Sequence, residues 1–263
     1  MNGTARLLAE GTTPSWWPPK TEDFFPPTAV YGFASKFSGL VLLAMILVMV
    51  FYLGAYRRPA LVPGRWQWLA ETVYSFGRDG IGQDIIGPEG IRFAPYLTTL
   101  FSFIAVMNVF GIIPILQVAP TAHIGYPAAL ALITYVLYWS VGIRRFGLGR
   151  LLKQLTIPPG APWYILPLVV PLEALQSLVL QPFTLSVRLF ANMFAGHFIL
   201  LVFTLGGFLL LNSAPLILKP LSIVAWLFTI ALTFLELLVA VLQAYVFALL
   251  NAVYLQRSLV EEH

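Results

Sequence analysis

Cysteine is absent from this sequence, and charged residues are scarce. The 263 residues include no cysteine, and only 10% of them are Asp, Glu, Lys or Arg. The first absence excludes a disulfide framework and thiol chemistry. The second lies far below the roughly 25% of charged residues in an ordinary soluble domain. A soluble fold of this composition would have too few polar residues to cover its surface.

Motifs for metals and nucleotides are also missing. The three histidines and the acidic residues lack HExxH or similar ligand spacing, and no GxxxxGK[ST] loop occurs. We therefore expect no metal site and no bound cofactor. The net charge of +4 comes mostly from arginines in predicted loops. Membrane topology accounts for that pattern, so we expect no nucleic-acid partner.

Long apolar runs dominate what is present. The sequence is 59% hydrophobic and its mean hydropathy is +0.84. Several runs exceed the roughly 20 residues that a helix needs to cross a bilayer. They lack the period-2 alternation of barrel strands. The sequence therefore predicts an all-α integral membrane protein, with about five transmembrane helices and an amphipathic helix on the cytoplasmic surface.

The apolar runs divide the chain into an arm and a membrane domain. We expect residues 1–33, rich in proline, to form an extracytoplasmic arm, and residues 34–263 to form one membrane domain. The predicted spans are about 35–56, 93–116, 126–146, 164–211 and 216–257, with the amphipathic helix at about 65–85. The last two runs are longer than one perpendicular crossing requires, so we expect them either to fold back or to cross as long, strongly tilted helices.

Arginine and lysine are unevenly distributed among the loops. The YRRP and RRFGLGRLLKQ segments fall on one side of a five-span arrangement. By the positive-inside rule that side is cytoplasmic. The N-terminus is then outside and the C-terminus is in the cytoplasm. No transit-peptide pattern is visible, so we expect a bacterial plasma (inner) membrane location.

One arginine lies inside the fourth apolar run, where a charge is costly. Arg188 is the only formal charge between Glu173 and Lys219. Six polar residues recur every three or four positions around it: Glu173, Ser177, Gln181, Thr184, Arg188 and Asn192. This spacing places them on one helical face about 28 Å long. They form either a packed polar seam between helices or the lining of an ion path.

The last apolar run carries a second polar line. Glu236 is its only charge between Lys219 and Arg257, and Gln243 follows two helical turns later. His197 points away from the Arg188 face, so an antiparallel packing of the last two runs would let it meet Glu236. Imidazole titrates near neutral pH, whereas arginine keeps its proton. The pattern indicates a proton path interrupted by a fixed cation.

Three functions fit these residues. The first is a proton-channel stator. The second is a proton-coupled secondary transporter, although the related halves common in that class are not seen. The third is a voltage sensor or a structural scaffold, although a sensor stacks several arginines on one helix.

Read together, the motifs resemble subunit a of the F-type ATP synthase. The stretch RLFANMFAGH, Arg188–His197, is similar to the signature around that family's essential arginine. LELLVAVLQAYVFALLNAVYL, Leu235–Leu255, is similar to its last helix, and MNVFGIIP, Met107–Pro114, is a weaker match. The resemblance covers most of the chain from about residue 30.

The resemblance implies a proton-translocating stator subunit without catalytic activity of its own. Its expected partners are the c-subunit ring, b-type peripheral-stalk subunits, the rest of the synthase, protons and membrane lipid. Arg188 would separate two aqueous half-channels that lead to the ring carboxylates. Asn192, His197, Glu236 and Gln243 match outer half-channel positions, Glu173 and Ser177 suit the inner one, and His123 falls where some members carry an acid.

Overall fold

The computed structural model describes residues 36–57, 60–113, 119–157, 165–213 and 215–259, and most residues of these ranges are helical. The α-helices are α1 Lys36–Ala55, α2 Arg65–Ser75, α3 Ala94–Val109, α4 Gly125–Phe146, α5 Leu148–Thr156, α6 Leu166–Leu175, α7 Gln181–Ser213 and α8 Pro220–Leu259. Two π-helical segments (Phe76–Ile86 and Gln176–Leu180) and three 3-10 segments (Pro88–Phe93, Pro120–Ala122 and Leu216–Leu218) connect them. The described residues contain no strand, which confirms the all-α prediction. The expected arm at 1–33 lies outside the described residues.

Among the described residues, five helical stretches are long and apolar enough to cross a membrane. They are Phe37–Ala55, Pro88–Val109, Gly125–Phe146, Leu166–Asn212 and Pro220–Leu259. This confirms the expected number of transmembrane helices. The last two contain 47 and 40 residues, or about 70 and 60 Å of helix. Each is about twice the thickness of a hydrocarbon core, so it must incline or extend beyond the membrane.

The fourth stretch continues through two prolines because its helix changes register between them. Pro171 lies inside α6, and Pro182 follows the π-helical segment Gln176–Leu180. Proline has no N–H to donate to the carbonyl four residues back. The wider π turn accommodates this defect, so the helix continues into α7.

The third helix ends earlier than the hydropathy predicts. We expected a span to about residue 116, but α3 ends at Val109. The next bonds are tight i to i+3 turns, from Gly111 N to Asn108 O and from Ile112 N to Val109 O. Further along the connection to α4, the described residues Ala119, Pro120 and Thr121 are buried.

The amphipathic region at 65–85 has two parts. Trp66 and Trp68 are exposed on α2, as an interfacial helix requires. The following π-helical segment buries Ile81 and Ile86 in a cluster with residues of α3, α4 and α8. Its sequence is mixed because one side packs on protein while Asp79 and Asp84 remain exposed.

Small residues bring α8 close to the rest of the bundle. Ala240, Ala244, Ala248 and Ala252 are spaced four residues apart and are all fully buried. Without side-chain bulk the backbones approach closely, which is the usual means of packing membrane helices. Ala244 and Phe247 join a core that includes Met107 of α3 and Leu189 of α7. This packing holds α7 and α8 side by side.

Candidate proton path between the last two helices

A histidine and a glutamate meet where α7 and α8 run antiparallel. His197 Nδ1 is hydrogen-bonded to Glu236 Oε1. Both side chains are almost completely buried. Gly196 makes this approach possible, because a Cβ there would lie 2.9 Å from Glu236 Oε1. The structure therefore joins the two titratable residues that the sequence analysis placed on facing helices.

A second polar contact links the same helices further along. Asn192 Nδ2 donates to Gln243 Oε1 at 2.8 Å. Asn192 lies five residues before His197, and Gln243 lies seven after Glu236, so the contacts follow each other along the antiparallel pair. At about 1.5 Å per residue they are separated by about 7 to 11 Å. Together they form an ordered polar line in otherwise apolar surroundings.

Two atoms of this line have unused hydrogen-bonding capacity. Glu236 Oε2 and Gln243 Nε2 are buried, and neither has a hydrogen-bond partner among the described residues. Buried polar groups without a protein partner are usually bonded to ordered water. An acceptor and a donor on one helix face, two turns apart, suit a short bridge of water molecules.

Arg188 lies one turn from Asn192 on α7 and is partly exposed. Within the described part of the chain its guanidinium has neither an ion pair nor a hydrogen bond. A guanidinium cannot lose its proton, so its charge remains. Thr184 and Ala191, its neighbours on the helix, are exposed. The cation therefore borders a surface that the described residues leave uncovered.

The residues of the predicted stripe differ in exposure along its length. Ser177 and Gln181 are buried, whereas Thr184 and Asn192 are exposed. The π-helical segment Gln176–Leu180 lies between Glu173 and Gln181, so Glu173 is not aligned with the α7 residues as a regular helix would align it. Gln181, Thr184 and Asn192 all lie in α7. The difference in their burial therefore reflects which parts of that helix other described residues cover.

The inner candidates are not joined to the outer line. Ser177 Oγ donates to the carbonyl of Glu173 at 2.7 Å, and the Tyr138 hydroxyl donates to Ser177 O at 3.4 Å. Glu173 is partly exposed, and within the described ranges its carboxylate has no ion pair. Tyr138 is a buried polar contact of this region that the sequence analysis did not single out.

His123 lies apart from the His197–Glu236 pair. Its side chain is exposed, and its ring packs near Phe37 and Tyr126. Its Nδ1 accepts from Gly125 N at 3.4 Å. The described residues show no hydrogen bond between His123 and the buried pair.

Residues at the end of α3 also contact the pair, and the sequence analysis missed them. Ala119 N donates to His197 Nε2 at 3.3 Å, and a Cβ at Gly111 would overlap the same nitrogen. Asn108 and Thr121 form a buried hydrogen bond beside them. Asn108 and Gly111 belong to the quoted MNVFGIIP motif, so this motif was the sequence signal that could have identified them. Nothing in the sequence marks the Ala119 backbone.

No three His, Asp or Glu side chains of the described residues come together as a metal site would require. The fold and the site define an all-helical, multi-pass membrane protein with a buried acid–base pair between its two longest helices.

Comparison with known proteins gives the family. The family profile described as ATP synthase A chain matches residues 37–256. The ATP synthase subunit a of a Nocardioides species is 42% identical over 92% of this chain and 88% of its own length. Those of Pseudarthrobacter chlorophenolicus and Rhodococcus erythropolis are 41% and 40% identical over 90% and 93% of this chain, and 91% of each relative is covered. The chain belongs to the ATP synthase subunit a family. It is a membrane-sector subunit of the F-type ATP synthase and takes part in proton transport and ATP synthesis.

Proposed function

We propose that this chain is the stator of the synthase's rotary motor and supplies two aqueous half-channels to the carboxylates of the c ring. One half-channel opens to the outside and the other to the cytoplasm. Arg188 separates them. The chain carries protons and has no catalytic activity of its own, because nucleotide chemistry belongs to other subunits of the complex.

The unpaired guanidinium of Arg188 is the observation that carries this proposal. A charge within the membrane usually faces a partner or a water-filled path. Arg188 has no ion pair or hydrogen bond among the described residues, yet it lies on a partly exposed face of α7. A deprotonated carboxylate from a neighbouring subunit would satisfy it. A ring that presents one carboxylate after another suits this requirement.

The polar line between α7 and α8 supports the outer half-channel. Protons would reach the His197–Glu236 pair first and pass along Asn192 and Gln243 toward the ring. Imidazole and carboxylate both exchange protons, and the amides orient the water between them. A proton that falls through 100 mV releases about 2.3 kcal/mol, which rotation then couples to ATP synthesis.

The inner half-channel is assigned to Glu173 and Ser177. Glu173 is partly exposed and bears the only acidic group in the first part of the fourth span. Its carboxylate would collect protons that leave the ring. Ser177 contributes through its contact with the Glu173 backbone. We assign His123 to the outer surface, near the entrance.

Orientation and partners follow from the same scheme. Residues 34–263 form one membrane domain in a bacterial plasma membrane, with the N-terminus outside and the C-terminus in the cytoplasm. Arg144 and Arg145 at the end of α4, together with Arg150 and Lys153 of α5, support a cytoplasmic location for that end. The c ring would contact the Arg188 face of α7, and b-type stalk subunits would hold the stator in place.

Substitution of Arg188 tests this function. In membrane vesicles, we expect Arg188→Ala and Arg188→Lys to abolish ATP-driven proton pumping while the complex still assembles. Lysine fails as well, because it lacks the planar fork and loses its proton when buried. Arg144→Ala, at an exposed arginine of α4, is the matched control and should pump normally.

Passive proton leak should be recorded in the same vesicles. A leak above the wild-type level in Arg188→Ala indicates that the arginine separates two half-channels. Normal pumping by Arg188→Ala would refute the proposal. In that case substrate uptake by the isolated chain would test the transporter alternative.

A further inference from the structure

The second nitrogen of His197 is held by the protein backbone. Ala119 N donates to His197 Nε2 at 3.3 Å, and both residues are buried. An imidazole nitrogen that accepts a hydrogen bond carries no proton. The ring's proton therefore lies on Nδ1, which faces Glu236 Oε1. The backbone amide thus fixes the tautomer that donates into the proton path.

The turn that carries Ala119 is tied to two membrane helices by a buried network. Thr121 Oγ1 donates to Asn108 Oδ1 at 2.7 Å, and Asn108 Nδ2 donates to Ala240 O at 3.0 Å. Thr121, Asn108 and Ala240 are all fully buried. Ala240 lies one helical turn after Glu236. The network therefore holds the turn in register with the carboxylate that the imidazole faces.

Two glycines shape the space around the imidazole and the carboxylate. Gly111 leaves room for His197, because a Cβ there would overlap Nε2. Gly196 leaves room for Glu236. The ring therefore fits between the end of α3 and the turn at Pro120–Ala122, where it has one orientation.

We propose that Asn108 and Thr121 are positioning residues for proton entry. Through the Ala119 amide they hold His197 neutral, with its proton directed at Glu236. This inference rests on the proposed function, since it assigns the control of a step in that path. An entering proton must displace the amide from Nε2, so the network also sets how readily the entrance takes up a proton.

Few charged groups lie close to His197, so a change in the pH dependence of proton conduction can be traced to a small number of residues. The only titratable group bonded to His197 within the described residues is Glu236 of α8. The end of α3 and the turn contribute Gly111, Ala119, Pro120 and Thr121, none of which titrates, and the exposed His123 follows the turn. The intervening residues 114–118 read PILQV and contain no titratable side chain. A change in pH dependence that persists when His123 is replaced by glutamine would therefore report on the His197–Glu236 pair.

Thr121→Val is the direct test, because valine keeps the shape of threonine and removes its hydroxyl. Passive proton conduction would be measured in vesicles stripped of the water-soluble ATPase sector and driven by a potassium diffusion potential. The pH is varied on the side of the membrane on which the Pro120–Ala122 turn lies. The amide must leave Nε2 before an entering proton can bind there, so a loosened turn should ease proton uptake. We expect the pH at which conduction is half-maximal, the midpoint, to move to a higher value in Thr121→Val.

Thr121→Ser keeps the hydroxyl and should retain the wild-type midpoint. A merely structural role for Thr121 would lower the rate without moving the midpoint, and that result would overturn the inference. Wild-type conduction in Thr121→Val would overturn it too. His197→Ala is measured alongside: unchanged conduction there contradicts the proposed function itself, whereas reduced conduction with an unmoved Thr121→Val midpoint contradicts only the positioning role.

Gly111→Ala gives an independent test if Thr121→Val assembles poorly. The added methyl group must displace the imidazole from the Ala119 amide, so we expect the same shift to higher pH. Gly54→Ala is the matched control, because a Cβ there meets nothing within 4 Å. A Gly111→Ala protein with the wild-type midpoint and rate would contradict the proposed fit of His197.

Discussion

His197 with Glu236 and Arg145 with Glu89 are both short acid–base contacts between distant parts of the chain. The side chains of the first pair are 5% and 4% exposed, and those of the second are 41% and 49% exposed. The first joins two groups that can each bind and release a proton. The second includes an arginine, which keeps its proton. Burial and chemistry together make the first pair the candidate for the proposed proton transfer, whereas the second is a surface contact.

The two pairs also differ in how strongly the loss of one member affects the other. Water can replace either member of the exposed pair, so the Arg145–Glu89 contact contributes little to stability. It connects the end of α4 with the 3-10 segment Pro88–Phe93, and Arg145 Nη2 donates to Glu89 Oε1 at 3.0 Å. Inside the α7–α8 pair, a lost partner leaves a buried polar group unsatisfied. Substitutions should therefore have unequal effects at the two sites.

The largest effect is expected for Glu236→Gln. The amide keeps the size of the side chain but cannot carry a proton, so ATP-driven pumping should fall by about tenfold or more. Quenching of a pH-sensitive dye in vesicles measures it. Assembly is checked by the amount of complex in the membrane. Pumping at the wild-type rate would remove Glu236 from the proposed path.

An intermediate effect is expected at the second contact. Asn192→Leu and Gln243→Leu should each slow pumping by about threefold to tenfold, because neither residue titrates but both orient water. The double variant should be little slower than the slower single variant, since both substitutions remove the same hydrogen bond. Fully multiplicative losses would indicate that the two residues act separately. The cycle thus shows whether the line continues beyond the buried pair.

The smallest effect is expected for Glu89→Gln. Pumping should stay within about twofold of the wild-type rate, because water substitutes for an exposed pair. Arg145→Gln is the companion variant and should behave in the same way. A loss comparable to that of Glu236→Gln would show that the surface contact also takes part in proton movement, and the contrast between the two pairs would fail.

Much of the fold could be predicted from the sequence because its signal is strong. Apolar runs predict the five crossing helices, and the lengths of the last two are evident from hydropathy alone. The end of α3 was predicted about seven residues too late, because a buried connection such as Ala119–Thr121 is as apolar as a helix. The burial of Ile81 in the π-helical segment was also missed, since a mixed sequence does not distinguish a membrane surface from a protein surface.

The candidate site likewise has features that could be predicted from the sequence and features that could not. The pairing of His197 with Glu236 follows from helix periodicity and antiparallel packing, so it could be anticipated. The burial of Ser177 and Gln181 could not, because helix periodicity does not show which part of a long helix is covered by other helices. The contact from Ala119 was also invisible, since every residue carries the same backbone N–H. Its partner is set by tertiary structure.

The most direct test of the account exchanges the two members of the buried pair. We predict that His197→Glu and Glu236→His each reduce ATP-driven pumping strongly, because each places two like groups in one buried site. The double variant restores a histidine opposite a glutamate, so it should recover most of the wild-type rate. Single variants that pump normally would contradict the claim that the His197–Glu236 contact carries protons to the ring.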